Sequence, residues 1–172
     1  MTRWTRRLLI GAIAILVPAL AGCEAGLDAP TLQYHPANFA ANTTQKGISF
    51  TNVFVLGPAP GATLPAGGQA GVFLALVANN GDDRLLSVSA PDAATSVQLV
   101  GAPVDLPAQT LVDMSGPVPR VVLTGLTSPL SGGQTVNVSF TFAVAGTITV
   151  AVPVEPRAFE YATYAPPASP GP

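Results

Sequence analysis

From residue 136 to residue 154 the chain alternates apolar and polar side chains with a period of two. Val136, Val138, Phe140 and Phe142 are interleaved with Asn137, Ser139 and Thr141. After Ala145-Gly146, Ile148, Val150, Val152 and Val154 are interleaved with Thr149, Ala151 and Pro153. Side chains on a strand point to opposite faces in turn, so each apolar set falls on one face of a half-buried antiparallel hairpin. A slip of one residue would turn all eight apolar side chains to water, so the register is firmly set.

The rest of the chain extends this pattern. Apolar, β-prone runs at 48–56, 70–78, 84–89, 96–100, 109–114 and 120–126 are separated by Gly, Pro, Asn and Asp. The run 70–78 is apolar on both faces and reads as an interior strand. Asn79-Asn80-Gly81-Asp82-Asp83 is turn chemistry, since Asn and Gly tolerate positive φ and Asp bonds its own backbone. Eighteen prolines and seventeen glycines leave no room for long helices. Short strands at this spacing predict an all-β, antiparallel Greek-key β-sandwich of immunoglobulin-like type.

The first residues carry a different signal. Arg3, Arg6 and Arg7 precede a fifteen-residue uncharged run from Leu8 to Gly22, and Cys23 follows. The run is shorter than the roughly 20 residues a bilayer core requires. It matches the apolar part of an export signal, removed on maturation. Thr5-Arg6-Arg7 is compatible with either a plain basic start or a twin-arginine signal. Leu20-Ala21-Gly22-Cys23 resembles the bacterial lipobox, which implies lipidation of Cys23 after cleavage before it. An ordinary signal peptide with an incidental cysteine is the alternative. Cys23 is the only cysteine, so no internal disulfide is available and the domain must rely on its apolar core. The expected organisation is a signal peptide over 1–22, a lipidated cysteine and flexible tether over 23–46, a sandwich over 47–154 and a disordered Pro/Ala-rich tail over 155–172. The expected location is the extracytoplasmic face of the cell membrane, held there by lipid.

Charge narrows the partners. Beyond residue 22 only Lys46, Arg84, Arg120 and Arg157 oppose nine acidic residues. That balance offers no footprint for nucleic acid and no electrostatic hold on an anionic membrane. Catalysis lacks its parts. The single histidine, His35, lies in the predicted tether, and no G-x-S-x-G, H-E-x-x-H or C-x-x-C occurs. The chain is therefore expected not to be an enzyme and to carry no resident cofactor. Asn79, Asn80, Asp82 and Asp83 could offer oxygen ligands to Ca²⁺, or simply form a turn balanced by Arg84. Met114 and His35 are the candidate soft and imidazole ligands for copper; the alternative for Met114 is a gap-filling core side chain. Asn42-Thr43-Thr44 and Asn137-Val138-Ser139 match a glycosylation pattern that carries no meaning in a bacterial lipoprotein.

From about Ile48 to Val154 the chain resembles the periplasmic copper chaperone family of the PCu(A)C type, in its actinobacterial lipoprotein branch. The resemblance rests on ordered phrases. These are Leu64-Pro65-Ala66-Gly67 before an apolar strand, and Asn79-Asn80-Gly81-Asp82-Asp83-Arg84-Leu85. Val122-Leu123-Thr124-Gly125-Leu126 follows, ahead of Pro129-Leu130 and Gly132-Gly133. Phe140-Thr141-Phe142-Ala143-Val144-Ala145-Gly146 with Thr149–Val154 closes the series. Tyr34 with Pro36-Ala37 resembles the tether of that branch. The resemblance implies a cupredoxin-like sandwich. It does not carry the copper ligands with it. The family's His-x-Met pair falls on Arg120-Val121-Val122, and its earlier histidine falls near Val100. Valine offers no lone pair and a guanidinium repels a cation. The reading is a non-catalytic envelope lipoprotein that binds a protein or other envelope component; the alternative is a copper(I) chaperone or copper-binding protein using Met114 and His35.

Overall fold

The structure, a computed structural model, describes residues 40–167. The first six strands are β1 (Ala41–Gln45), β2 (Ile48–Leu56), β3 (Thr63–Leu64), β4 (Gln69–Ala78), β5 (Asp83–Ser89) and β6 (Ala94–Leu99). The next six are β7 (Val104–Leu106), β8 (Leu111–Asp113), β9 (Val121–Leu126), β10 (Leu130–Ser131), β11 (Thr135–Phe142) and β12 (Thr147–Glu155). One five-residue 3₁₀ turn follows, over Phe159–Thr163. Among the described residues no helix is long and apolar enough to cross a membrane.

The closing hairpin forms in the register its alternation demands. Val136 faces Val152, Val138 faces Val150 and Phe140 faces Ile148, and all six are buried. On the wet face, Ser139 and Thr149 hydroxyls lie 2.8 Å apart. The hairpin leads one layer of the sandwich, in the order β12-β11-β5-β7. The other layer runs β6-β9-β4-β2, with β8 beside β4 and β1 beside β2. β4 is an interior strand as its sequence implies, with β2 along one edge and β8 and β9 along the other. Val72, Leu74 and Leu76 of β4 enter a core shared with Val138, Phe140 and Val152 of the opposite layer. Phe50 meets Phe140 at 5.1 Å between ring centroids. Burying each such side chain contributes about 1.5–3 kcal/mol.

The layers join where Val154 and Glu155 of β12 pair with Val55 and Leu56 of β2 in parallel. The alternation of each strand foretells its faces but not this partner, and one parallel pairing makes the sheet mixed. The Asn79–Asp82 turn likewise does not close a hairpin. It carries the chain from β4 in one layer to β5 in the other, and each strand pairs elsewhere.

Two boundaries differ from the sequence expectation. The sheet begins at Ala41, inside the segment read as tether. Lys46 (φ 49) and Gly47 (φ 81) form a two-residue turn that sets Gln45 opposite Ile48. Two consecutive positive φ angles suit the twist of a tight hairpin. At the other end, Glu155 closes β12, and residues 156–167, read as disordered tail, fold back on the sheet. Tyr161 and Tyr164 pack against Phe54 and Phe73 in a second apolar cluster. Two aromatic rings supply the apolar surface that a Pro/Ala composition alone suggests is missing.

That second cluster exists because β2 carries a bulge. Thr51 pairs with Ala75 but Phe54 pairs with Phe73, so two residues oppose one between them. Asn52 takes φ 53 there, and its N–H donates to Asn42 Oδ1 at 2.9 Å. The extra residue resets the alternation. Phe50, Val53 and Val55 point into the main core, while Phe54 and Leu56 turn to the outer face.

Candidate functional site

The positions that the resemblance links to copper do come together. Val121 at the start of β9 pairs with Val72 of β4. Met114, just past β8, donates its backbone N–H to the Leu74 carbonyl at 2.9 Å, two residues along the same edge. Val100 lies across from Arg120, its N–H donating to the Arg120 carbonyl at 2.8 Å. Val100, Met114, Arg120 and Val122 thus cluster around the loop 115–120 and the start of β9.

The side chains there do not form a metal site. Met114 is 1% exposed and belongs to the main core, where a thioether fills space between apolar neighbours. Asp113 beside it accepts from the Ser115 N–H at 2.7 Å and from the Ser115 hydroxyl. Those bonds from Ser115 hold the carboxyl of this exposed residue below the usual aspartate range, outweighing a smaller upward push from desolvation. Arg120 spans back to the residue just past β6, where Nε and Nη2 donate to the Val100 carbonyl at 3.4 and 3.3 Å. Val122 is half-buried on β9. One core sulfur, a guanidinium and two valines cannot hold Cu(I), which takes soft thioether, thiolate or imidazole donors. Among the described residues no three His, Cys, Asp or Glu side chains converge. Cys23, its lipobox residues Leu20, Ala21 and Gly22, and His35 lie outside the described residues.

The Asn79–Asp83 turn has a structural occupation. Asp83, 7% exposed, accepts from the N–H groups of Arg84 at 2.7 Å, Val144 at 2.8 Å and Ala145 at 2.9 Å. Burial pushes its carboxyl up, but the converging N–H groups of Val144, Ala145, Arg84 and Ala143 outweigh burial and hold it below the usual aspartate range. Asp82 Oδ1 accepts from the Ala108 N–H at 2.7 Å. A cavity of about 330 Å³ opens beside them, with Arg84, Asp105, Pro107 and Val144 on its wall. Carboxylates already ringed by backbone N–H groups are poor cation ligands, since those dipoles compete with the ion. Asp83 is thus committed to the fold, and among the described residues no third acidic, His or Cys side chain joins these carboxylates in a metal-sized group. The turn ties β5 to the β11–β12 connection.

Sequence reasoning passed over the aromatic cluster on the outer face. Phe54 and Phe73 stack at 5.1 Å and 13°. Tyr161 meets Phe54 at 4.7 Å, and Tyr164 meets Phe73 at 4.8 Å. Ala165 N–H donates to the Pro117 carbonyl at 2.9 Å, so the C-terminal segment reaches the same 115–120 loop that leads to Arg120. The available signal was Tyr161-x-x-Tyr164, two aromatics at a spacing that a 3₁₀ turn places on one side.

Comparison with known proteins agrees with this architecture. The LpqE-like lipoprotein family matches residues 48–154. The lipoprotein LpqE of Mycobacterium tuberculosis is 25% identical over 169 residues, covering 90% of this chain and 88% of its own. LpqE of Mycobacterium leprae is 26% identical over 166 residues, covering 87% and 88%. Among solved structures, the copper-bound PCuAC domain from PmoF2 superposes with a TM-score of 0.55 at 23% identity, over 67% of this chain and 98% of that domain. The apo PCuAC domain from PmoF1 gives 0.57 at 18% identity, over 67% and 99%. At these identities the two domains show a shared fold.

Proposed function

The chain belongs to the LpqE-like lipoprotein family, and from that premise we propose that it is a non-catalytic interaction protein of the cell envelope. Lipid on Cys23 holds it at the outer face of the membrane, and it uses the PCuAC-like sandwich as a binding scaffold. The observation that supports this reading is that the positions the family resemblance links to copper hold a guanidinium bonded to the Val100 carbonyl, a half-buried Val122 and a Met114 buried in the core, on a PCuAC-like fold. A scaffold that keeps its sheets and fills those positions with packing and a guanidinium is suited to holding a partner rather than an ion.

Lipidation follows from the lipobox resemblance. Two or three acyl chains, at about 0.8 kcal/mol per buried CH₂, anchor stably where a single chain does not. Alkyne-palmitate labelling in the native host should mark the chain, and Cys23→Ser should abolish both labelling and membrane fractionation. Labelling that survives this substitution would refute the anchor.

Binding is tested in place. A photo-crosslinking residue at Val118, 62% exposed in the loop ahead of Arg120, should give a discrete adduct in intact envelopes. The adduct should weaken when Arg120 is replaced by Ala. No adduct from Val118 or from Val100, its exposed neighbour across the loop, would contradict the interaction role. The copper-carrier alternative requires Met114 to leave the core and His35 to supply a second ligand.

A further inference from the structure

The outer face of a sandwich layer is normally wetted and polar. Here Phe54 and Phe73 stand opposite each other on that face and are both 0% exposed. Their cover is the C-terminal segment, laid across them through Tyr161 and Tyr164. We infer that residues 156–167 form a displaceable strap over an aromatic groove. In its place the groove accepts a Tyr-x-x-Tyr-x-Pro segment from a partner protein, taken up in the same turn. The inference rests on the interaction reading above and supplies it with a surface and a partner chemistry.

The strap's attachments are few. Two backbone bonds tie it to the body, Arg157 N–H to the Pro58 carbonyl and Ala165 N–H to the Pro117 carbonyl, both 2.9 Å. Between them its grip is the two tyrosine rings. Its hinge works against closure. Phe159 sits at φ 51, a left-handed conformation disfavoured for a residue with a Cβ, and its ring is 91% exposed, so no contact offsets the strain. At the base of the strap, Glu155 is buried close to Glu160, and burial first, then the Glu160 charge, raises its carboxyl above the usual glutamate range. Opening the strap relieves the backbone and the carboxylate pair together. A partner segment that brings the same rings without Phe159 or Glu160 would fill the groove at lower cost.

The occupant's chemistry is read from the present one. Tyr161 lies in the 3₁₀ turn and Tyr164, three residues on, caps its end with its N–H donating to the Tyr161 carbonyl, and both rings reach Phe54. Pro166 and Pro167 follow and favour an extended exit. The strap ends on the 115–120 loop, so its release also frees the segment leading to Arg120.

The test uses a fluorescent synthetic peptide of residues 158–167 as probe against the full chain. In the Tyr161→Ala/Tyr164→Ala variant the groove is open, and the probe should bind saturably, at least about tenfold tighter than to the unaltered chain. A probe carrying the same two alanines should not bind. A variant that melts cooperatively and ignores the probe overturns the proposal, as does equal binding to both chains. Should the variant fail to fold, hydrogen exchange on the unaltered chain decides. The Ala165 and Arg157 amides should exchange at least about a hundredfold faster than the Met114 amide in the core. Equal protection would show the strap to be a fixed part of the fold and would overturn the proposal. Failure of either kind leaves the envelope crosslink at Val118 unaffected.

Discussion

Asp83 and Glu155 are the two buried carboxylates of the described residues, and their surroundings push them in opposite directions. Asp83 is ringed by backbone N–H groups, so folding favours its ionised form. Its contribution is present above the unfolded aspartate value and is lost as pH falls through the lower folded one. Asp83→Ala should cost about 1–3 kcal/mol, since it strands the N–H groups of Arg84, Val144 and Ala145. Denaturant melts at pH 7 check the loss. It should shrink as pH falls below about 4, where the unaltered chain loses the same contribution. Glu155 has the opposite sign. Its folded value is raised, so folding favours the neutral acid. The cost of ionisation is absent below the ordinary value of 4.5 and fully present above the raised one. Glu155→Gln should therefore raise the melting temperature at pH 7, and the gain should vanish on acidification toward pH 4. A gain that persists unchanged at low pH would mean that the amide stabilises by some route other than removing a buried charge.

At the scale of elements, β4 organises the sheet, and Gly71 shows how closely its neighbours approach. A Cβ there would lie 2.7 Å from Cβ and 2.8 Å from Cγ of Pro119. Gly71→Ala should destabilise by about 1–3 kcal/mol, as over-packing does, because Pro119 is buried and must move. The melt of this variant is the check, and increased proteolysis between residues 115 and 120 should accompany it. Elements whose signal is periodicity were legible in the sequence. β11, β12 and the doubly apolar β4 are the clearest, because burial acts on every second or every residue. β1 was not, because Thr43 and Thr44 bury little and its strand is specified by the Lys46-Gly47 turn and by Asn42 bonding Asn52. The strap was hidden for a related reason. Its order comes from two tyrosines meeting a Phe54–Phe73 pair that faces outward only because of a bulge, and a bulge at an asparagine leaves no mark in periodicity. Phrase order in the sequence singles out Arg120, Val122 and Met114, yet only the packing shows that Met114 lies in the core.

For the whole molecule, a copper-chaperone-like sandwich carries no convergent His, Cys, Asp or Glu donor set among the described residues. The two layers are joined in parallel between β2 and β12, and the sandwich as a whole shares its fold with the copper-bound PCuAC domain from PmoF2. What stands at the 115–120 loop is apolar packing and a guanidinium bonded to the Val100 carbonyl. We propose that the chain, with Arg120 and Val122 at the positions the family resemblance links to copper, does not bind the metal. A Cu(I) competition titration tests it most directly, on the purified mature chain carrying Cys23→Ser so that no free thiol contributes. No one-to-one complex should form in competition with a chelator of known affinity. Tight stoichiometric binding, lost on substituting Met114 and His35, would contradict the account and restore a copper carrier.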